Sequence, residues 1–399
     1  MRQPDMPASH ASTPQGQRVA HRQRTRRRRA LVWVSASLSV ILVAGLAFAA
    51  AVYFQVVGNI SENVVARPGV TAEPLVIPNW DGPVNLVIMG SDSRDGLTSG
   101  DYGSQDTSGI RSDVLMVLHV SADHKDATLV SFPRDTMMPI PECTSPDGEV
   151  IEAQDEAQIN GALAYGPYCT MDAISAFTGL PIDHFVVVDF DGVIDMTNAI
   201  GGVDVCVEHD VEDSDSGLYL AAGAHNLQGA DALAFVRTRG GFADGSDLGR
   251  ISAQQTFLAA LARKVKSAGT LANPVALFNL VDAASSSVTV DPALGAVPSM
   301  VGLAGTLSSV DLDRMVLLQL PVEDYWADSN RVQPISDQAE QIFAALRADQ
   351  PLSFGDVVAE AAPEGEQPDD GTAAPTEPAP VPVPDDAKGQ RAIDATCAK

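Results

Sequence analysis

From Ala30 to Ser61 the chain carries no charged side chain. The apolar heart of this stretch, Leu31 to Val57, is longer than the roughly 20 residues a helix needs to cross the hydrocarbon core of a bilayer. Such a run places whatever folds on its two sides in different compartments. Residues 1–29 hold eight arginines and one acid, Asp5, for a net charge of +7, and Arg24 to Arg29 stand directly before the run. Basic flanks stay on the cytoplasmic side, and contact with anionic lipid gives the rest of the tail a role. The expected order is a cytoplasmic tail at 1–29, one transmembrane helix at 30–57, an extracellular linker at 58–83 with Pro68, Pro74, Pro78 and Pro83, and then an external domain. A cleaved signal peptide is the competing reading, since Ala47-Phe-Ala49 resembles a cleavage site. Its apolar region would span only about 7–15 residues, whereas this run continues to Val57.

That placement governs how the remaining composition is read. The whole chain carries −27, so taking away the +7 of the tail leaves −34 beyond residue 29. Nucleic acid is a poor partner for such a domain, because phosphate backbones require a basic face. Cys143, Cys169, Cys206 and Cys397 all fall on the external side, and an even number in an oxidising compartment predicts two disulfides. Cys143 and Cys169 flank an insertion-like loop and make the first pair, which leaves Cys206 with Cys397. No CxxC or HxxxH-type spacing supports zinc.

Short apolar runs bounded by turn residues predict strands at 85–89, 114–120, 128–132, 185–190, 203–207, 233–239 and 316–320. Helical spacing falls between them at 170–178, 193–200, 247–266, 298–307 and 336–348. Strands alternating with helices predict an α/β fold, an α-β-α sandwich around a mixed central sheet, over residues 84–356. The acidic, Pro- and Ala-rich segment 357–399, ending near a Cys, lacks the apolar surface to order itself and is expected to be disordered.

In an acidic domain the arginines stand out. Only 17 Lys and Arg lie beyond residue 29, and six of them fall in a few motifs. Arg237 and Arg239, on a strand, would share a face. Arg250 and Gln254, one turn apart on the helix that follows, would share another. Arg94, Arg111 and Arg134 each stand beside an Asp at an expected strand end, where an open α/β sheet places its ligand. A rigid guanidinium fork matches phosphate, so these residues point to a multiply charged anion. Asp92 and Asp113 offer hard carboxylate oxygens suited to Mg²⁺. The competing reading is a set of Arg–Asp pairs with no ligand. Neither GxGxxG, GxxxxGK[ST] nor GxSxG occurs, which removes the usual nucleotide cradle and the nucleophile elbow. His184 reads as structural.

Taken in order, Gly90-Ser-Asp-Ser-Arg94, Arg111-Ser-Asp113, Ser131-Phe-Pro-Arg-Asp135, Ile159-Asn-Gly-Ala162, Gly201-Gly-Val-Asp204, Phe235-Val-Arg-Thr-Arg239 and Asp247-Leu-Gly-Arg-Ile-Ser-Ala-Gln-Gln255 resemble the motifs of the LytR-CpsA-Psr family, and the cysteine pattern resembles its actinobacterial members. The resemblance implies a cell-wall glycopolymer ligase. Such an enzyme takes a glycan (arabinogalactan, teichoic acid or similar) from a polyprenyl-pyrophosphate carrier, joins it to peptidoglycan through a phosphodiester and releases polyprenyl phosphate. It implies Mg²⁺, or Mn²⁺, on Asp92 and Asp113, which with Arg111 and Arg134 are the expected catalytic residues. It places Arg94, Arg111, Arg134, Arg237, Arg239, Arg250 and Gln254 on the pyrophosphate. It also implies an apolar tunnel for the lipid, for which the helices between 170 and 200 and near 298–307 are available. Two positions depart from the pattern: Gln158 stands where Lys is frequent and Ala253 where Arg is frequent, each removing a charge near the expected pocket. A polyprenyl-pyrophosphate phosphatase and a non-catalytic envelope-binding or regulatory protein are the alternatives.

Overall fold

The computed structural model describes residues 15–70, 76–77, 79–91, 112–242, 247–267, 274–354 and 379–399. They fall into two compact units, Met1–Gln55 and Val56–Lys399. The first unit is carried by helix α1, which runs Gln15–Glu62 and leaves Trp33, Val34, Val40, Phe48 and Phe54 each more than 60 % exposed. Among the described residues no helix is long and apolar enough to cross a membrane.

The second unit is built on a seven-stranded sheet. Its strands are β1 (Val84–Ser91), β2 (Ser112–Val120), β3 (Ala127–Phe132), β4 (His184–Val188), β5 (Val288–Val290), β6 (Met315–Gln319) and β7 (Gly389–Arg391). Their order is β5-β4-β1-β2-β3-β6-β7. β1 with β4 and β3 with β6 run parallel, and the other neighbours antiparallel. The inner strands read as continuous apolar runs because both faces of the sheet are covered. Alternation sorts them. On one face Val87, Met89, Leu115, Val117, Val130, Phe132 and Phe185 join helices α2 (Pro167–Thr178) and α8 (Ser336–Arg347) in the main core. Their neighbours Ile88, Met116, Leu129 and Val188 look to the other face. There lie α3 (Phe190–Ala199), α4 (Ala230–Arg237) and α5 (Asp247–Lys266). Gly90 lets β1 and β2 close up, since a Cβ there would stand 2.9 Å from that of Val114.

Several expectations change. The run 233–239 is a helix followed by a turn, not a strand. Ala232, Leu233, Ala234 and Phe235 are all buried, a pattern that fits a strand or a buried helix equally. Ala at 230, 232 and 234 favours the helix. The stretch 58–83 is no free spacer: Val65 and Val290 N–H groups bond across to Val290 and Asn63 carbonyls, Arg67 pairs with Asp172 at 2.8 Å, and Trp80 is buried. Nor is the whole of 357–399 disordered. Residues 355–378 lie outside the described residues, but Val381–Pro382 pairs with Leu352–Ser353 and β7 closes an edge of the central sheet. A Cβ on Gly389 would collide with the Leu317 carbonyl, so β7 fits there only as glycine.

Both disulfides form with the expected partners, Cys143–Cys169 and Cys206–Cys397. The second brings Ala398 into the smaller core around Val205, Phe235 and Phe257. Helices α6 (Pro274–Ser287) and α7 (Val297–Ser309) complete the unit. His184 is structural, paired with Asp291 at 3.0 Å and set edge-on to Trp80.

Candidate functional site

Between the second face of the sheet and helices α3, α4 and α5 lies a cavity of about 450 Å³. Its body is apolar: Ile88, Met116 and Leu129 from the sheet, Val193 and Met196 from α3, Leu233 and Val236 from α4, and Phe257, Leu258 and Leu261 from α5. The helical contributors recur at three- and four-residue intervals, as one stripe of each helix must. Asp113, Arg237, Arg239, Arg250 and Gln254 line the same cavity, so an apolar chamber carries a cationic group of side chains on its wall.

Asp113 holds the arginines together. Its Oδ1 accepts from Arg134 Nη1 at 2.9 Å and lies 3.7 Å from Arg250 and 3.8 Å from Arg239. Arg250 is 2 % exposed, and its Nη2 also donates to the Asp113 carbonyl at 2.9 Å, which pins α5 to β2. Gln254 donates to the Val236 carbonyl at 2.9 Å, which pins α5 to the end of α4. The Arg237 guanidinium lies 4.6 Å from the Phe190 ring centre, a cation–π contact across the cavity wall. Burial pushes Asp113 up, but Arg250, Arg134 and Arg239 outweigh it and hold the carboxyl below its ordinary range. It stays an anion and keeps the arginines aligned.

A second carboxylate orders the turn after α4. Asp213 Oδ2 accepts from the Thr238 hydroxyl and from the backbone N–H of Arg239 at 3.1 Å and Gly240 at 3.3 Å, and Oδ1 from Asp215 N–H at 2.9 Å and Ser216 N–H at 3.2 Å. Burial opposes ionisation there, yet the Thr238 hydroxyl and those N–H donors bring the carboxyl far below the usual range. Asp189, also on the cavity wall, goes the other way. Burial raises it, Asp191 and Asp195 add to the rise, and the bond from Gly192 N–H at 2.7 Å opposes.

The structure thus brings together Asp113, Arg134, Arg237, Arg239, Arg250 and Gln254. Asp92, Arg94 and Arg111 fall in 92–111, outside the described residues; the strand ends that bracket this segment pair as Ser91 with Ser112. Asp213, Asp189 and Phe190 went unnoticed in the sequence, because an Asp in a Ser/Gly-rich turn and an Asp before a helix look like ordinary turn and cap residues. Among the described residues no three His, Cys, Asp or Glu side chains are grouped to hold a metal. Each arginine approaches Asp113 most closely at Oδ1, which leaves Oδ2 as one hard ligand for a cation that takes its other ligands elsewhere. The expected lining is corrected: α3 lines the cavity, whereas α2 packs on the opposite face of the sheet, and α7 lines none of it. Gln158 donates to Asp135 Oδ1 at 3.0 Å. Ala253 is buried at 1 % in the smaller core, so it is a packing residue rather than a charge missing from the pocket.

A model of the LytR_cpsA_psr family matches residues 56–348. The cell wall biosynthesis protein LcpA of Corynebacterium glutamicum is 32% identical over 279 residues, 64% of this chain and 53% of that protein. The polyisoprenyl-teichoic acid–peptidoglycan teichoic acid transferase TagV of Bacillus subtilis is 32% identical over 196 residues, 48% of this chain and 46% of TagV. The chain therefore spans about half the length of these relatives. The crystal structure of B. subtilis TagV superposes with a TM-score of 0.52 at 27% identity, covering 68% of this chain and 98% of the TagV chain.

Proposed function

This chain belongs to the LytR-CpsA-Psr family, and from that membership we propose that it is a membrane-anchored phosphotransferase. It moves a glycopolymer from a polyprenyl-pyrophosphate carrier to peptidoglycan, leaves a phosphodiester, and releases polyprenyl phosphate. The observation that carries this reading is the amphiphilic cavity. A chamber with an apolar body and Arg237, Arg239 and Arg250 on its wall complements a ligand with a long hydrocarbon tail and a diphosphate head. The name of TagV, a polyisoprenyl-teichoic acid–peptidoglycan transferase, agrees with it. The apolar side chains exposed along α1 and the arginines before them support a retained anchor, with the N-terminus in the cytoplasm and the domain outside.

Phosphoryl transfer asks a protein for positioning and charge stabilisation more than for covalent chemistry. Arg237, Arg239 and Arg250 bind the diphosphate oxygens, and Asp113 keeps their forks aligned. Arg134, held between Asp113 and Asp135, stabilises charge on the leaving lipid phosphate. Phe257, Leu258 and Leu261 hold the tail and keep water from the diphosphate. Asp113, with Asp92, would hold a Mg²⁺ ion, which would neutralise diphosphate charge. The test uses the full chain in detergent micelles with a polyprenyl-pyrophosphate glycan, peptidoglycan and Mg²⁺. Glycan linked to peptidoglycan by the intact protein, and lost with Arg239→Ala, is the expected result. Lipid phosphate released without linkage would make the protein a phosphatase; lipid binding without turnover, unaltered by EDTA, would make it a binding protein.

A further inference from the structure

The chain is fixed to the domain as soon as it leaves its long apolar run. The run ends at Val57, and Val56 and Ile60 are 5 % and 2 % exposed. Asn59 Nδ2 donates to Asp282 Oδ1 and Ser285 Oγ on α6, both at 3.2 Å, and Asn63 Nδ2 donates to the Ser286 carbonyl at 3.1 Å. Val64 lies directly over Gly295, in the turn that leads into α7. Farther along, Ile77 N–H donates to Ser299 Oγ at 2.8 Å and Trp80 Nε1 to the Ser299 carbonyl at 3.1 Å. The first turn of α7 is thus held by the same stretch of chain that joins the apolar run to the sheet.

α7 is an uncharged helix in a strongly acidic domain. From Ser267 to Val310 the chain carries only two charged side chains, Asp282 and Asp291, and both are engaged, Asp282 by Asn59 and Asp291 by His184. Within α7 the polar Ser299 and Thr306 are buried, whereas Val301, Ala304 and Leu307 are exposed, Val301 at 66 %. Intervals of three residues put these three on one face. A surface helix ordinarily turns charged and polar residues outward; an apolar face left bare marks contact with another apolar phase. With no Lys or Arg on the helix, that contact depends on apolar area and not on anionic headgroups. The apolar phase that the chain itself brings close is the bilayer entered by the run ending at Val57, two residues before Asn59 is bonded to α6.

We propose that the Val301, Ala304 and Leu307 face of α7 rests on the surface of the bilayer that holds the anchor, so that the domain lies against the membrane. The bilayer as occupant rests on the anchored reading given above. α6, which receives Asn59, also packs on α3, and α3 lends Val193 and Met196 to the chamber, so the chamber wall is one helix removed from the anchoring stretch. The test is photocrosslinking of the full chain reconstituted into phosphatidylcholine vesicles. One protein carries Val301→p-benzoylphenylalanine, and a second carries Val40→p-benzoylphenylalanine within the apolar run. Lipid adducts are read by mass spectrometry, and both positions are expected to capture acyl chains. Adding Ala304→Asp and Leu307→Asp should reduce capture at 301 by about tenfold, because carboxylates resist leaving water, and should leave capture at 40 as it was. Both aspartates stand at exposed positions, so they do not disturb the fold. Capture at 40 with none at 301, or capture at 301 that the aspartates do not change, overturns the proposal and leaves the anchor. Capture at 301 without capture at 40 would keep the membrane-facing helix and remove the anchor; capture at neither would overturn both.

Discussion

At the scale of single residues the site depends on carboxylates that never leave their arginines and amides. Asp213 is the clearest case, because its depressed acidity links it to stability. A carboxyl lowered on folding stabilises above its unfolded value, about 4, and that contribution is lost as pH falls through the folded value. Asp213→Asn should therefore cost about 2–3 kcal/mol at neutral pH, as expected for a buried, multiply bonded acceptor. The gap between variant and parent should shrink steadily below pH 4 in urea unfolding; a gap independent of pH would show that Asp213 is not ionised in the fold. Arg250 tests the other partner. Arg250→Lys keeps the charge but loses the fork that meets both the Asp113 side chain and carbonyl. Transfer should fall at least tenfold, with the midpoint of thermal unfolding lowered and the lipid still bound.

At the scale of elements, legibility followed period and length. β1, β2 and β3 were readable because buried strands of this length leave apolar runs with few alternatives. The pairing of Arg250 with Gln254 was readable because helical spacing alone puts them on one face. α4 was misread for a matching reason: four consecutive buried residues carry no period. β7 was hidden for another, since an edge strand of three residues, Gly-Gln-Arg, has no apolar signature and owes its place to Gly389 and to the nearby disulfide. Asp113 could be singled out as chemistry, but not as the hub of three arginines, because that depends on α5 crossing β2. The prediction at this scale concerns the disulfide. Cys397→Ser removes a cross-link between residues 191 apart and should lower unfolding free energy by about 2–5 kcal/mol. Hydrogen exchange should rise first in β7 and its partner β6; uniform loosening of the whole unit would mean that β7 does not depend on the link.

At the scale of the whole molecule, one acidic domain places Arg237, Arg239 and Arg250 together on the wall of one chamber. Filling that chamber separates fold from function. Leu258→Trp, on the apolar wall of α5, should leave the unit folded, with unfolding free energy unchanged or raised. It should abolish retention of the polyprenyl lipid, measured by co-purification, and transfer with it; lipid retention equal to the parent would show that the tail lies elsewhere. The two disulfides carry a further consequence, in time rather than space. Cys169 follows Cys143 by 26 residues, whereas Cys206 waits 191 for Cys397. As the chain emerges from the N-terminus, the first pair can close while most of the domain is still being made. Cys206 must pass through synthesis as a thiol and is exposed to wrong partners until Cys397 arrives. A chain that stops before β7 therefore keeps a reactive thiol and an uncovered sheet edge, two marks by which it differs from a copy that carries Cys397.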